Sequence, residues 1–212
     1  MTLVVTEPNQ ISFGQEIGRK VTHMCALAIP GGYYLLQLDK AQMLTIMVPI
    51  AVAMIVIDIA RLREWIFWRS VVHPVFGRMI RDHEANGDFT GATYILLSVC
   101  FTIALYDKPV AIAALTFIIV GDTLAAIIGR KFGRHRFGHK SFEGSFACLA
   151  GTVAVAVIVW LVMPSFPLTV GLAGALVATI VEAMPLGVDD NVSVPLVSGL
   201  VMSLLMRVVI YS

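Results

Sequence analysis

GDTLAAIIGRKFGRHRFGHKSFEG, residues 121–144, opens with an acid inside an apolar run, passes through small residues and ends in a cluster of cations. Asp122 follows Ile118, Ile119 and Val120 and precedes Leu124, so a helix through this point carries a carboxylate into apolar surroundings. In a bilayer such a group costs at least ~2.5 kcal/mol unless a cation pairs with it, and a cost of that kind goes with function. Arg130, Lys131, Arg134, His135, Arg136, His139 and Lys140 follow, and an anionic ligand is their natural complement.

The rest of the chain is strongly apolar. Of its 212 residues 58% are hydrophobic and only 14% charged, and the mean hydropathy of +0.86 lies outside the range of soluble domains. Runs near the ~20 residues needed to cross a bilayer recur at 21–38, 42–60, 91–106, 110–129, 144–163, 168–184 and 194–211. They predict an all-α integral membrane protein with about seven transmembrane helices, one polytopic domain over residues 1–212 and no separate soluble domain. Residues 1–16 lack the basic start, apolar middle and small-residue cleavage site of a signal peptide, and are expected to be mature and aqueous. Cys25, Cys100 and Cys148 are far apart, each in an apolar run, and read as small core residues. No internal repeat suggests the two-halved build of a secondary transporter.

Charge sets the expected orientation. With the N-terminus in the cytoplasm, twelve Lys and Arg residues fall on that side, in 19–20, 61–89 and 130–143, against Lys40, Lys108 and Arg207 on the other. The C-terminus is then outside, and Asp58, Asp122, Glu182, Asp189 and Asp190 all come to the cytoplasmic half. Within 61–89, Leu62, Trp65, Trp68, Val72, Val75 and Met79 recur at three- and four-residue spacing, which predicts one amphipathic helix lying in the interface.

Several residue sets carry chemistry. Glu16, Arg19, Lys20 and His23 share one face of a helix, the last inside an apolar run, which exceeds what a positively charged anchor requires. Asp58 and Arg61, at i and i+3, are explained equally well by a simple ion pair. Gly133 to Ser141 resembles a phosphate-binding P-loop, but His139 intervenes before Lys140 and an apolar span stands where the motif needs a strand, so a Walker fold is rejected. The physics survives: glycines admit phosphate oxygens to backbone N–H groups, Lys140 is a point charge, and a helix opening near Ser141 is expected to offer donors. Asp122, Ala125, Ala126 and Gly129 follow one small-residue face that lets a helix or a flat ligand approach. Glu182, Asp189 and Asp190, with Asn191, supply oxygen ligands of the kind Mg²⁺ takes.

Taken in order, these residues carry a resemblance. The run Glu16-x-x-Arg19-Lys20-x-x-His23, the pair Asp58-x-x-Arg61, Thr90-Gly91-Ala92-Thr93, Gly121-Asp122-Thr123-x-Ala125-Ala126-x-x-Gly129-Arg130-x-x-Gly133, Lys140-Ser141-x-Glu143-Gly144, and Glu182 followed by Asp189-Asp190-Asn191 are similar to the dolichol kinase, phytol kinase and CTP-dependent diacylglycerol kinase family. The resemblance implies an enzyme moving the γ-phosphoryl group of a nucleoside triphosphate from the cytosol, usually CTP, to the hydroxyl of a lipid alcohol in the bilayer. It implies functional roles for Arg19, Lys20, Asp122 and Gly129. Beside it, the residues themselves lead to the expectation that Arg19, Lys20, Gly129, Arg130, Lys131, Gly133, Lys140 and Ser141 bind nucleotide. Asp122, Glu182, Asp189 and Asp190 are expected to hold Mg²⁺, and Asp122, Lys20, Arg19 and Glu182 to act in catalysis. The expected location is the inner or plasma membrane of the cell, with the site on the cytoplasmic face, and nucleic acid is not among the expected partners. The 121–144 stretch is also similar to the phosphatidate cytidylyltransferases, but no lysine follows Lys140, so their downstream Lys-Arg-x-x-Lys-Asp signature is missing. An ion-coupled transporter or a lipid-binding scaffold is the alternative of another class.

Overall fold

The computed structural model describes residues 13–65, 68, 88–138 and 140–211. Pro30 divides the first expected span in two. Helix α1 runs Phe13–Cys25 and helix α2 Ala28–Leu35. Proline has no N–H to bond the Ala26 carbonyl four residues back, and its ring crowds that carbonyl. The chain tightens instead: Ala26 N–H bonds the His23 carbonyl at 3.0 Å, Leu27 bonds Met24 at 3.0 Å and Ile29 bonds Ala26 at 2.9 Å. The half that carries Arg19, Lys20 and His23 is therefore a separate helix from the one that follows.

Helix α3, Lys40–Leu62, starts two residues earlier than its apolar run because of a capping box. The Asp39 carboxylate accepts the Gln42 N–H at 2.8 Å, and the Gln42 side chain accepts the Asp39 N–H at 2.9 Å. Then come α4 (Gly91–Leu105), α5 (Lys108–Phe132), a two-stranded antiparallel ribbon of β1 (Arg136–Phe137) and β2 (Lys140–Ser141), α6 (Phe142–Val162), α7 (Leu168–Ala183) and α8 (Asp190–Tyr211). Helix α8 begins four residues before its apolar run. Asp189 is its N-cap: the carboxylate accepts the Asn191 N–H at 2.9 Å, while its carbonyl accepts those of Val192 and Ser193. The amphipathic segment expected within 61–89 falls almost wholly outside the described residues.

Helix α5 is the axis of the fold. It packs against α1, α2, α4, α6, α7 and α8, and Ala111, Ala113, Ala114 and Phe117 along it are wholly buried. Helix α3 packs on α4. The outer surface is apolar: Ile46, Ile50 and Val56 on α3, Leu161 on α6, Leu176 and Ile180 on α7, and Leu200 and Leu204 on α8 are all exposed. The buried face instead contains Thr93, Ser98, Thr102, Thr152 and Ser198. An apolar exterior around a core with polar groups is the arrangement a bilayer selects. Helices Lys40–Leu62, Lys108–Phe132, Phe142–Val162 and Asp190–Val209 are long and apolar enough to cross a membrane, and Gly91–Leu105 and Leu168–Ala183 are shorter apolar helices. The chain is an all-α membrane protein.

Helices α5 and α6 pack on one another more extensively than any other pair among the described residues, and glycine makes it possible. A Cβ added to Gly144 would stand 2.8 Å from the Ala125 carbonyl oxygen and 3.2 Å from the Gly129 Cα, so backbone meets backbone here. Ala125 and Gly129 of the expected small-residue face are thus met by α6. Gly144→Val is expected to destabilise the protein by about 1–3 kcal/mol through overpacking, whereas Gly31→Ala, at a helical site with nothing within 4 Å of the new methyl, is expected to be neutral or stabilising. Melting temperatures of both variants in detergent check this, and equal shifts would refute the packing argument.

Candidate active site

Two ammonium groups, one buried and one half-buried, each held by acid from another part of the chain, make up the candidate site. The first is on α1. Spacing by helical turns places Lys20 and His23 on the side of α1 that meets α5. Lys20 is only 1% exposed and its Nζ donates to Asp122 Oδ2 at 2.5 Å. His23 Nε2 lies 3.5 Å from the same oxygen, and Arg19 is near enough for its charge to act on Asp122. The acid that was costly in its apolar run has its cation, supplied from 102 residues away. Glu16 lies in the same helix, and its side chain is outside the described residues.

The second ammonium is Lys140, delivered by the ribbon. Gly138, with φ of +59°, makes the backbone reversal that an L side chain resists. The strands pair Arg136 with Ser141 and Phe137 with Lys140. Lys140 Nζ lies 3.1 Å from Glu182 Oε1 on α7 and 3.0 Å from Asp190 Oδ2 in the first turn of α8. Burial works against the Lys140 charge, but the two carboxylates outweigh it and raise the ammonium pKa above its ordinary value. The Asp122 charge acts on both Glu182 and Asp190, so the two clusters share one field.

Other expected site residues have local duties. Ser141 is the N-cap of α6, its hydroxyl accepting the Gly144 N–H at 3.1 Å, while the Phe142 N–H bonds the His135 carbonyl at 3.0 Å. Two of the donors expected to face a ligand at this helix start are therefore occupied, because the ribbon folds back over it. Glu143 holds the ribbon, with Oε1 2.9 Å from His135 Nδ1. Gly129 and Gly133 turn their Cα faces to the Ser141 side chain, and Arg130 and Lys131 occupy the last turn of α5, where cations are favoured by the helix dipole. Asp189 accepts from both the backbone and the side-chain amide of Asn191, at 2.9 and 2.7 Å. Asp58, 1% exposed, accepts from Arg61 Nε at 3.1 Å, the Thr90 N–H at 2.8 Å, and the Thr90 and Thr93 hydroxyls at 2.9 and 2.6 Å. This acid fastens α3 to the start of α4.

Among the described residues, no three His, Cys, Asp or Glu side chains converge as a metal cluster. Mg²⁺ needs fewer when phosphates complete its shell. Glu182 Oε2 and Asn191 Oδ1 are buried acceptors with no hydrogen-bond partner among the described residues, and such hard oxygen donors fit that ion. The sequence marks Cys148 only as a small core residue. It is buried, but its thiol lies 3.8 Å from the Thr179 hydroxyl and within the electrostatic reach of Glu182, Asp122 and Lys140. The signal was its position four residues after Gly144, on the face that meets α5.

No family model and no solved structure matches this chain. An uncharacterised protein of Rickettsia prowazekii is 29% identical over 194 residues, covering 87% of this chain and 91% of the relative. CTP-dependent diacylglycerol kinase 1 of Saccharomyces cerevisiae is 26% identical over 216 residues, 91% of this chain and 74% of the relative. A probable chloroplastic phytol kinase of Triticum aestivum is 34% identical over 141 residues, 59% of this chain and 47% of the relative.

Proposed function

For a chain whose relatives are CTP-dependent diacylglycerol kinases and phytol kinases, we propose a lipid kinase that transfers the γ-phosphoryl group of CTP to the hydroxyl of a membrane lipid alcohol, of the phytol, polyprenol or dolichol type or a diacylglycerol. The observation that carries this reading is the pair of ammonium groups, buried Lys20 and half-buried Lys140, each held by acid and both within one field. Phosphoryl transfer asks a protein mainly for charge neutralisation, in-line positioning and a proton acceptor. Arg19, Lys20, Arg130, Lys131 and Lys140 hold the triphosphate, its oxygens replacing carboxylate contacts at Lys20 and Lys140. Glu182 and Asp190, with Asp122 acting on both, are the carboxylates that would hold Mg²⁺, and Asp189 adjoins them. The bound ion would neutralise charge on the phosphates. In the transfer, the lipid oxygen forms a bond to the γ-phosphorus as the bridging bond to the β-phosphate breaks. The hydroxyl proton passes to a carboxylate or to His23, and the nucleoside diphosphate leaves.

The topology proposed with this function has the N-terminus and the site in the cytoplasm and the C-terminus outside, with α1 and α2 together making the first of seven crossings. The bias of Lys and Arg supports it. The lipid then enters from the bilayer and the nucleotide from the cytosol of a cell whose inner or plasma membrane holds the protein. Purified protein with Mg²⁺ and γ-phosphate-labelled CTP is expected to label phytol, geranylgeraniol, a polyprenol or diacylglycerol. Absence of label in all four, with ATP as well as CTP, would refute the kinase. Label entering lipid from α-phosphate-labelled CTP would mark a cytidylyltransferase instead.

A further inference from the structure

Asp189, Asp190, Asn191 and Glu182 do not contribute alike. Asp189 Oδ1 accepts two hydrogen bonds from Asn191, one from the backbone N–H at 2.9 Å and one from the side-chain Nδ2 at 2.7 Å. The second bond fixes which way the amide faces, since a flipped amide would set oxygen against oxygen. Asn191 Oδ1 is thereby directed away from Asp189, and it is buried without a hydrogen-bond partner among the described residues. Glu182, 5% exposed, divides its two oxygens in the same way: Oε1 meets Lys140, and Oε2 is buried without a partner. Lys140 touches Glu182 and Asp190 together, and Asn191 is next in the chain to Asp190, in the first turn of the same helix. Buried acceptors left unsatisfied cost about 1–3 kcal/mol each, and a bound ion is one of the explanations that a native fold offers for keeping them.

Charge selects the ligand. Glu182 and Asp190 both meet the Lys140 ammonium, and the charge of Asp189 acts on Asp190, so three carboxylates stand against one ammonium and leave two negative charges in a partly buried site. One divalent cation that prefers oxygen matches both the excess and the donor atoms. We infer that Asn191 Oδ1 and Glu182 Oε2 are ligands to a divalent cation of the Mg²⁺ or Mn²⁺ type, and that Asp189 is a positioning residue that orients the Asn191 amide. The assignment deepens the kinase reading and rests on it for the role of the ion, but the cation site stands on its own geometry. It moves the metal-binding oxygen from Asp189, the expected carboxylate, to its neighbour two residues on.

Mn²⁺ titration of the full-length purified protein, read by electron paramagnetic resonance without nucleotide, tests this. The native protein is expected to bind one Mn²⁺ that Mg²⁺ displaces. Asn191→Leu is expected to weaken binding about tenfold or more, and Asn191→Asp, which keeps an oxygen in place, to retain it. Asp189→Asn, whose side-chain oxygen still accepts the Asn191 N–H bonds, is expected to stay near native, whereas Asp189→Ala loses about 10–100-fold, as orienting partners of ligands do. Asn191→Asp and Asp189→Asn keep the test decisive should either truncation fail to fold. The reverse pattern, with Asp189→Asn losing the ion and Asn191→Leu keeping it, overturns the assignment, as does a native protein that binds no Mn²⁺. A protein that shows the expected Mn²⁺ pattern yet phosphorylates no lipid refutes the kinase and keeps the cation site. One that phosphorylates lipid while its Mn²⁺ affinity ignores Asn191 refutes the cation assignment alone.

Discussion

Asp122→Asn is expected to lower lipid phosphorylation by about a hundredfold to a thousandfold, the loss that follows removal of one preorganised charged group at a developing phosphoryl centre. The substitution keeps the shape of the side chain and an acceptor for Lys20, so it removes charge more than contact. It also leaves the Lys20 ammonium, 1% exposed, without its counter-charge. Breaking a buried pair from one side costs about 3–5 kcal/mol, and Asp122→Ala is expected to reach that range in denaturation measurements. Stability and activity therefore have to be separated. The double variant Lys20→Met with Asp122→Leu removes both charges and is expected to recover most of the lost stability, since paired apolar replacements of a buried ion pair are often neutral. Its activity is expected to stay at the level of Asp122→Asn. Recovery of turnover in the double variant would make the pair structural, and near-native turnover in Asp122→Asn would remove Asp122 from the site.

The difference between the expected and observed elements follows from what each depends on. Apolar runs of bilayer length mark the helices because hydropathy is a local property, and the limits of α4 and α7 differ by one residue at most from 91–106 and 168–184. Pro30 broke the first run without changing its hydropathy, since what it removed was a backbone hydrogen bond. Helix α8 started early because Asp189, a residue that reads as solvent-loving loop, was acting as a cap on Asn191. Pairings were the hardest to read. Lys20 and Asp122 are 102 residues apart and Lys140 and Asp190 are 50 apart, so composition can name the charges but not their partners. Gly129 shows the same limit in another form. Its lack of a side chain suits close approach by a phosphate or by a helix, and only the packing of α6 shows that a helix is there.

Asp58→Ala is expected to be the most destabilising substitution outside the two ammonium clusters, and to leave the chemistry intact. Thr90, at the start of α4, has the extended backbone of an N-cap residue but no capping bond from its own side chain. Asp58 on α3 ties down the start of α4 from across the helix pair, taking the Thr90 N–H at 2.8 Å and the Thr93 hydroxyl at 2.6 Å on one oxygen and Arg61 Nε at 3.1 Å on the other. Truncation leaves the Thr90 N–H and Thr93 hydroxyl without this acceptor and takes the carboxylate from a buried guanidinium, for a total of about 3–5 kcal/mol. Asp58→Asn retains an acceptor and is expected to lose less. Because Asp58 joins α3 to α4 and not α1 to α5, the fraction that remains folded is expected to keep kcat/KM within about threefold, a change of well under 1 kcal/mol in transition-state binding. Melting curves and steady-state kinetics on the same preparation decide the matter: an unchanged melting temperature with a hundredfold loss of kcat/KM would make Asp58 a group that touches substrate, and the lock between α3 and α4 incidental.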